Sequence, residues 1–270
     1  KLGGPDFIEC DIRDASKVEE LVAKVRPDVI YHMAAQSYVT VSWEEPARTL
    51  ETNVMGTFNL LEAVKNLKQD PKMLVACSSA EYGITYEDEI PINEKKEFRP
   101  STIYAVSKIG TDMLAYFYYT AYNQRIVRVR LFNTSGPAKT MDACSDFTKG
   151  VVDVEKDIRE CLEVGNTNAV RDITDVRDAL KALWLLTEKG ADGDVYNICS
   201  GTRYTVSEII DACVKLAKKP VSVRQDKERF RLIDDPIFVG DNSKIRKLGW
   251  KPTITLEETL ESMLDYWRQK

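Results

Sequence analysis

Two short apolar runs punctuate the first third of the chain, Val-Ile-Tyr-His-Met at residues 29–33 and Met-Leu-Val-Ala-Cys at 73–77. Neither alternates polar with apolar positions, so each reads as a strand buried on both faces. Between them, residues 46–67 carry Leu50, Val54, Phe58 and Leu61 at helical spacing, which predicts one long helix. Residues 7–10 read as a short strand and 16–24 as a helix. Residues 102–123 read as a second long helix, followed by a strand over 126–131. Strands alternating with helices of this length predict an α/β fold: a Rossmann-type parallel sheet flanked by helices.

The pattern changes past residue 138. Residues 144–161 read as mostly helical and 171–186 as a strand or turn leading into a helix. Residues 195–199 read as a short strand. A helix over 206–217 places Ile209, Ile210 and Val214 on its apolar side, and residues 221–223 and 256–268 read as a strand and a closing helix. The expected organisation is a Rossmann domain built from 1–138 and 169–199. A smaller, mixed α/β substrate-binding domain would draw on 139–168 and 200–270.

Bulk properties narrow the function. The 270 residues are 43% hydrophobic and 30% charged, enough for a large core. A net charge of −5 speaks against a general nucleic-acid or anionic-membrane role, although a local arginine pair could still hold an anionic small molecule. No apolar stretch reaches the length of a bilayer span, and no signal-peptide pattern is read. The six cysteines are scattered without a Cys-x-x-Cys pair, so reduced thiols and a cytoplasmic setting are expected. With His32 the only histidine, no histidine cluster exists to hold a catalytic metal.

A dinucleotide-binding sheet ordinarily opens with a strand, a glycine-rich turn and a helix. Gly3-Gly4-Pro5 is not such a turn. The expectation is that an N-terminal βαβ segment, with its pyrophosphate cradle, is missing before Lys1.

Candidate chemistry centres on Tyr104 and Lys108, four residues apart and therefore on one face of a helix. A phenol can pass a proton, and a nearby ammonium favours its phenolate. Ser78, at the end of the 73–77 run, could hold a substrate oxygen, with Ser79 as the neighbouring alternative; both also suit a plain strand-end turn. Asp11 could meet an adenine or ribose edge, or equally cap the helix that follows. Ala34-Ala35-Gln36 could let a cofactor lie close, or simply be a small-residue packing turn. Asn53 is a polar residue inside an apolar helical pattern and needs a partner. His32 reads as a satisfied core residue. Arg171, and Arg229 with Arg231, could pair with a diphosphate or form surface ion pairs.

Several stretches together resemble the extended short-chain dehydrogenase/reductase family of nucleotide-sugar enzymes. They are His32-Met-Ala-Ala-Gln-Ser37, Glu51-Thr-Asn-Val-Met-Gly-Thr57, Ser78-Ser-Ala-Glu-Tyr-Gly83, Tyr104-Ala-Val-Ser-Lys108 and Arg130-Leu-Phe-Asn-Thr-Ser-Gly-Pro137. Later ones are Val170-Arg-Asp-Ile-Thr-Asp-Val-Arg-Asp178, Tyr196-Asn-Ile-Cys-Ser-Gly201, Val239-Gly-Asp-Asn-Ser-Lys244 and Leu248-Gly-Trp250. The resemblance implies a catalytic set of Ser78, Tyr104 and Lys108. It implies an NAD or NADP site formed by Asp11, Ile12, Ala34, Ala35, Gln36, Asn53, Tyr104 and Lys108. It implies substrate contacts from Ser79, Ala80, Asn133, Arg171 and Arg231.

Within the family, residues 170–177 and 229–242 are most similar to reductases that convert GDP-4-keto-6-deoxymannose to GDP-rhamnose. The expected partner is therefore a nucleotide-diphosphate sugar, GDP-linked, and the expected assembly a homodimer. A 4,6-dehydratase, a 4-epimerase and a non-catalytic sugar-nucleotide-binding homologue are the alternatives. The related dehydratases carry a glutamate two residues after the catalytic serine or threonine. Here that position is Ala80, and Glu81 follows it. Adjacent strand residues face opposite sides, so Glu81 is not a simple replacement. Thr134 stands where relatives commonly carry histidine.

Overall fold

The structure is a computed structural model that describes residues 6–230 and 236–270. Its first elements are α1 (Ala15–Val25), β1 (Val29–His32), α2 (Val39–Glu44), α3 (Pro46–Leu50), a π turn (Glu51–Met55) and α4 (Gly56–Lys65). Next come β2 (Lys72–Ser78), α5 (Ile103–Tyr122), β3 (Ile126–Leu131), β4 (Asn133–Ser135) and α6 (Ala143–Glu155). Then follow β5 (Leu162–Val164), β6 (Val170–Arg171), β7 (Ile173–Asp175), α7 (Val176–Lys189), β8 (Val195–Ile198) and β9 (Tyr204–Thr205). The chain closes with α8 (Val206–Lys215), β10 (Val223–Gln225), β11 (Ile237–Phe238), α9 (Ser243–Arg246) and α10 (Leu256–Arg268).

The main sheet has the order β1-β2-β3-β8, and β1 runs parallel to β2 with Val29 opposite Lys72. This is the Rossmann-type sheet flanked by helices that the alternating pattern predicts. Every residue of β2 is buried, which is why its sequence is a continuous apolar run.

The chain divides into two compact units: Lys1–Cys77 with Thr102–Arg128 and Ala191–Asp194, and Ser78–Ser101 with Val129–Gly190 and Val195–Lys270. The core of the first gathers Val18 and Val22 of α1, Leu60, Leu61 and Val64 of α4, Met73 and Val75 of β2, and Ala115 of α5. That of the second gathers Phe147 and Val151 of α6, Leu162 and Val164 of β5, Ile209 and Ile210 of α8, and Leu260 and Leu264 of α10.

Local chemistry sets the helix ends. Asp14 caps α1 by accepting from the Lys17 amide, and Thr102 caps α5 by accepting from the Ala105 amide at 3.0 Å. Asn123 ends α5 in the left-handed conformation at φ 56°. Thr205 with Glu208 and Thr255 with Glu258 form reciprocal capping boxes on α8 and α10.

Four elements differ from the sequence reading. Strand β1, expected to be buried on both faces, leaves Val29 and Tyr31 exposed. Residues 7–10 form no strand: Phe7 is 92% exposed, and among the described residues no ladder partner pairs with this stretch. The single helix expected over 46–67 is α3, a π turn and α4 in succession. The strand expected at 221–223 lies two residues later, where β10 pairs with β5 and Val223 stands opposite Leu162.

Candidate active site

In the first unit, α5 presents Tyr104 in its first turn and Lys108 one turn further on, so the two share a helix face. Tyr104 is partly buried and Lys108 is 5% exposed. A buried ammonium is costly unless its protons are received. Lys108 Nζ donates to the Ala76 carbonyl on β2 at 2.7 Å, which fixes the charge at one height along α5. Ser107 donates to the Tyr104 carbonyl at 2.7 Å.

Asn53 sits in the π turn, and the partners it needs come from Gln36 and from Ser107 on α5. Asn53 is 1% exposed. Its Oδ1 accepts from the Gln36 amide at 2.7 Å, and its Nδ2 donates to the Gln36 carbonyl at 2.9 Å and to Ser107 Oγ at 2.8 Å. One side chain therefore clamps both backbone groups of Gln36 and ties the 34–36 turn to α5. The Asn53 carbonyl accepts from the hydroxyls of Thr57 at 2.6 Å and Thr111 at 3.0 Å. Sequence reading missed Ser107 and Thr111. Their spacing of four on α5 was the available signal.

His32 is a satisfied core residue, as its setting suggested. It is 4% exposed, with Nε2 2.8 Å from Thr57 Oγ1. The Thr57 proton goes to Asn53, so Nε2 is the donor at this contact. Burial, and then the charge of Lys108, lower the imidazole pKa from 6.5 to about 4. The unfolded chain therefore binds the extra proton between these values, and stability falls as pH drops through that window. The expected cost below the window is roughly 3 kcal/mol. Urea unfolding of wild type and His32→Gln across pH 7 to 4 checks this; equal pH slopes in the two proteins would contradict it.

The other cofactor candidates of this unit are placed as follows. Ala34 is exposed, Ala35 is partly buried, and the Ile12 carbonyl accepts from Asn59 at 3.0 Å on α4. Asp11 does not cap α1, a role taken by Asp14. Its exposed carboxylate holds Arg13 at 2.6 Å, and that hydrogen bond lowers its pKa to about 2.

In the second unit, Ser78 ends β2 and caps a short 3₁₀ turn over Ser79–Tyr82. Its Oγ accepts from the Ala80 amide at 3.2 Å, which leaves its own proton to donate elsewhere. Glu81 curls back and accepts from the Ser78 amide at 2.7 Å. Ser79 is buried and Ala80 partly buried. At Gly83 φ is 66°, and a Cβ there would fall 1.6 Å from the Arg99 carbonyl oxygen, so only glycine fits.

Asn133 is exposed on β4 and donates to the Asp172 carbonyl at 3.3 Å. Arg171 on β6 is partly buried and donates to the Val170 carbonyl at 2.9 Å. Arg229 pairs with Glu163 at 3.2 Å. Arg231 lies outside the described residues.

Asp172 explains why three of the quoted stretches belong together. Its carboxylate is fully buried and accepts from the amides of Ser200 at 2.8 Å, Gly201 at 2.9 Å and Gly240 at 3.2 Å, and from Ser200 Oγ at 2.6 Å. Burial raises its pKa, and these four donors work against that rise. Asp178 does the same for the segment after Trp250, accepting from the amides of Thr253 at 2.7 Å and Ile254 at 2.8 Å.

A parallel sheet with flanking helices, and a tyrosine and lysine one turn apart behind the second of its strands, are the marks of the extended short-chain dehydrogenase/reductase class. The chain belongs, within that class, to the family described as GDP-mannose 4,6 dehydratase, whose model matches residues 3–263. It is 32% identical over 247 residues to the GDP-6-deoxy-D-mannose reductase of Pseudomonas aeruginosa, covering 90% of this chain and 81% of that one. The solved structure of RMD from Pseudomonas aeruginosa complexed with NADPH superposes with a TM-score of 0.92 at 30% identity, covering 98% of this chain and 89% of the other. The UDP-glucose 4-epimerase of Thermotoga maritima with UDP-glucose gives a TM-score of 0.87 at 27% identity, over 97% and 84%. Among the described residues no helix is long and apolar enough to cross a membrane. All six cysteines are free thiols.

Proposed function

We propose that this chain is an NAD(P)H-dependent reductase of the C4 keto group of a nucleotide-linked 4-keto-6-deoxyhexose, converting GDP-4-keto-6-deoxymannose to GDP-rhamnose. The observation that carries it is the Tyr104–Lys108 face of α5, with the lysine fastened to Ala76 on the strand that ends in Ser78. Residues 1–138 and 169–199 would hold the dinucleotide, and 139–168 and 200–270 the sugar nucleotide. The residues present fit a dinucleotide: the 34–36 turn has only methyl groups at Ala34 and Ala35, and Asn53 holds its backbone in place. Asp11 and Ile12 belong to the same site.

Reduction adds hydride to C4 and a proton to its oxygen. The reduced nicotinamide supplies the hydride when bound. Ser78 Oγ, which accepts from the Ala80 amide and keeps a proton to give, donates to the C4 oxygen and orients it. Tyr104 gives its phenolic proton to that oxygen as negative charge develops there. Lys108 stabilises the phenolate that remains. Ser79, Ala80 and Asn133 line the sugar side, and Arg171 with Arg231 pairs with the diphosphate.

Loss of water from C5 and C6 needs a second acid/base group beside the serine. Ala80 offers none, and Glu81 is turned onto the Ser78 amide and Arg130. That favours reductase over dehydratase. The chain would act as a homodimer, because Leu50 and Phe58 and, on α5, Val106, Met113 and Phe117 leave apolar surface exposed.

Purified protein given the 4-keto sugar nucleotide with NADPH or NADH tests the assignment. One reduced nicotinamide should be consumed per GDP-rhamnose formed. Exchange of C4 isomers without net consumption would make it an epimerase, and conversion of GDP-mannose to the keto sugar a dehydratase.

A further inference from the structure

We propose that the buried Glu81–Arg130 pair is a positioning device for Ser78, holding the serine hydroxyl at the angle needed to meet the substrate carbonyl. The proposal rests on the reading of Ser78 given above. Glu81 is completely buried and Arg130 is 3% exposed, and Arg130 Nε lies 3.2 Å from Glu81 Oε2. The other carboxylate oxygen, Oε1, takes the Ser78 amide. One carboxylate thus joins a catalytic candidate on its front to a guanidinium at its back.

The guanidinium is itself immobilised. Its Nη1 donates to Tyr82 Oη at 3.0 Å and to the Glu94 carbonyl at 3.1 Å. Tyr82 Oη passes its proton on to Asn197 Oδ1 at 2.7 Å. Asn197 in turn donates to the Ile92 carbonyl at 2.9 Å, and its amide binds Glu94 Oε1 at 2.9 Å. The ring of Phe98 lies 4.6 Å from the guanidinium carbon and that of Tyr82 5.2 Å from it. Arg130 therefore has little freedom to follow a shift of Glu81.

Stability alone does not account for this pair. Removing two charges from water costs about as much as their attraction returns, and apolar residues of similar volume often serve as well or better. What a charged pair adds is direction. The Ser78 amide is the donor that would otherwise be open at the strand end, and Glu81 fixes it three residues away, which sets the pitch of the 3₁₀ turn. The Ala80 amide then donates to Ser78 Oγ, so the serine is held through its backbone by Glu81 and through its oxygen by Ala80. Glu81 touches no reacting atom in this scheme; it acts through Ser78.

The test uses Glu81→Gln, Arg130→Lys, the double variant Glu81→Leu/Arg130→Met, and each again in a Ser78→Ala background. Glu81→Gln keeps an acceptor for the Ser78 amide and should retain more kcat than the double variant. The double variant should lose about 10- to 100-fold in kcat, as small misplacements of a reacting group do, with KM and NADPH affinity changed by less than about twofold. Arg130→Lys should fall between wild type and the double variant. In the Ser78→Ala background the same substitutions should cost no further kcat. An equal further loss there would overturn the proposal, since the pair would then act on something other than the serine. A double variant that keeps wild-type kcat would also overturn it. If Ser78→Ala alone turned over like wild type, the reading of Ser78 would fall and the positioning role with it, a result distinct from the other two. Should the double variant not fold, the comparison of Glu81→Gln in the two backgrounds decides the matter in the same way.

Discussion

Replacing Tyr104 by phenylalanine should slow reduction by orders of magnitude while leaving the protein folded and able to bind both ligands. The substitution removes one oxygen from a partly buried ring at the start of α5. It leaves the Thr102 cap, the Ser107 bond to the residue-104 carbonyl and the Lys108 anchor on Ala76 untouched, because none of these uses the phenol. On the proposed mechanism, what is lost is the proton delivered to the C4 oxygen. Without it, charge on that oxygen must be met by Ser78 and by water, and the expected fall in kcat is about 100- to 10,000-fold. Single-turnover oxidation of NADPH gives the rate, and calorimetry with the sugar nucleotide gives the affinity. A variant within about threefold of wild type in kcat would show that the phenol takes no part in the slow step.

The second large effect is expected at Asp172. Alanine there removes four hydrogen bonds at once and strands the amides of Ser200, Gly201 and Gly240 around a cavity. Unsatisfied buried donors each cost in the range of 1 to 3 kcal/mol, and breaking one partner of a buried charge network costs more. A loss of about 3–5 kcal/mol is expected in urea unfolding. Asparagine should rescue little of it, because its NH₂ would face backbone N–H groups. The Asp172 carbonyl also receives Asn133, and Arg171 is its chain neighbour, so on the proposed reading, in which both contact the sugar nucleotide, any surviving fraction should show a raised KM for it. A destabilisation below about 1 kcal/mol would mean that water replaces the carboxylate without loss.

These two residues mark how far sequence could be read. Tyr104 and Lys108 were legible because a spacing of four has a fixed meaning on a helix, and α5 runs almost as its pattern predicts. Strand β2 was legible because burial on both faces leaves no other composition. Asn53 was legible as a polar residue in an apolar row that needed a partner, but its partners could not be named. Gln36 and Ser107 come from distant parts of the chain, and only the fold brings them to it. The same holds for Glu81 and Arg130, whose pairing follows from a strand and a turn meeting in the second unit. Asp172 was visible only as part of a motif. Its four donors lie on loops whose path no local pattern specifies. Residues 7–10 misled because their composition suits a strand, while a strand also needs a neighbour to bond with.

The wide turn at Glu51–Met55 has one more consequence. It holds an extra residue relative to regular winding, with the Gly56 amide reaching back to the Glu51 carbonyl. Deleting a single residue from this stretch would let the coil tighten into an ordinary helix, a locally easier conformation. The residues downstream would keep their facing, because the wide turn already takes up the extra residue that would otherwise rotate them by about 100°. Leu60, Leu61 and Val64 would stay in the interior and Asn59 on the Ile12 carbonyl, whereas Asn53, seated in the turn itself, would lose its hold on Gln36. A one-residue deletion within 51–55 should therefore leave the protein folded and cost it the Asn53 clamp, whereas the same deletion within 57–64, where regular winding takes up no change of length, should return almost no folded protein.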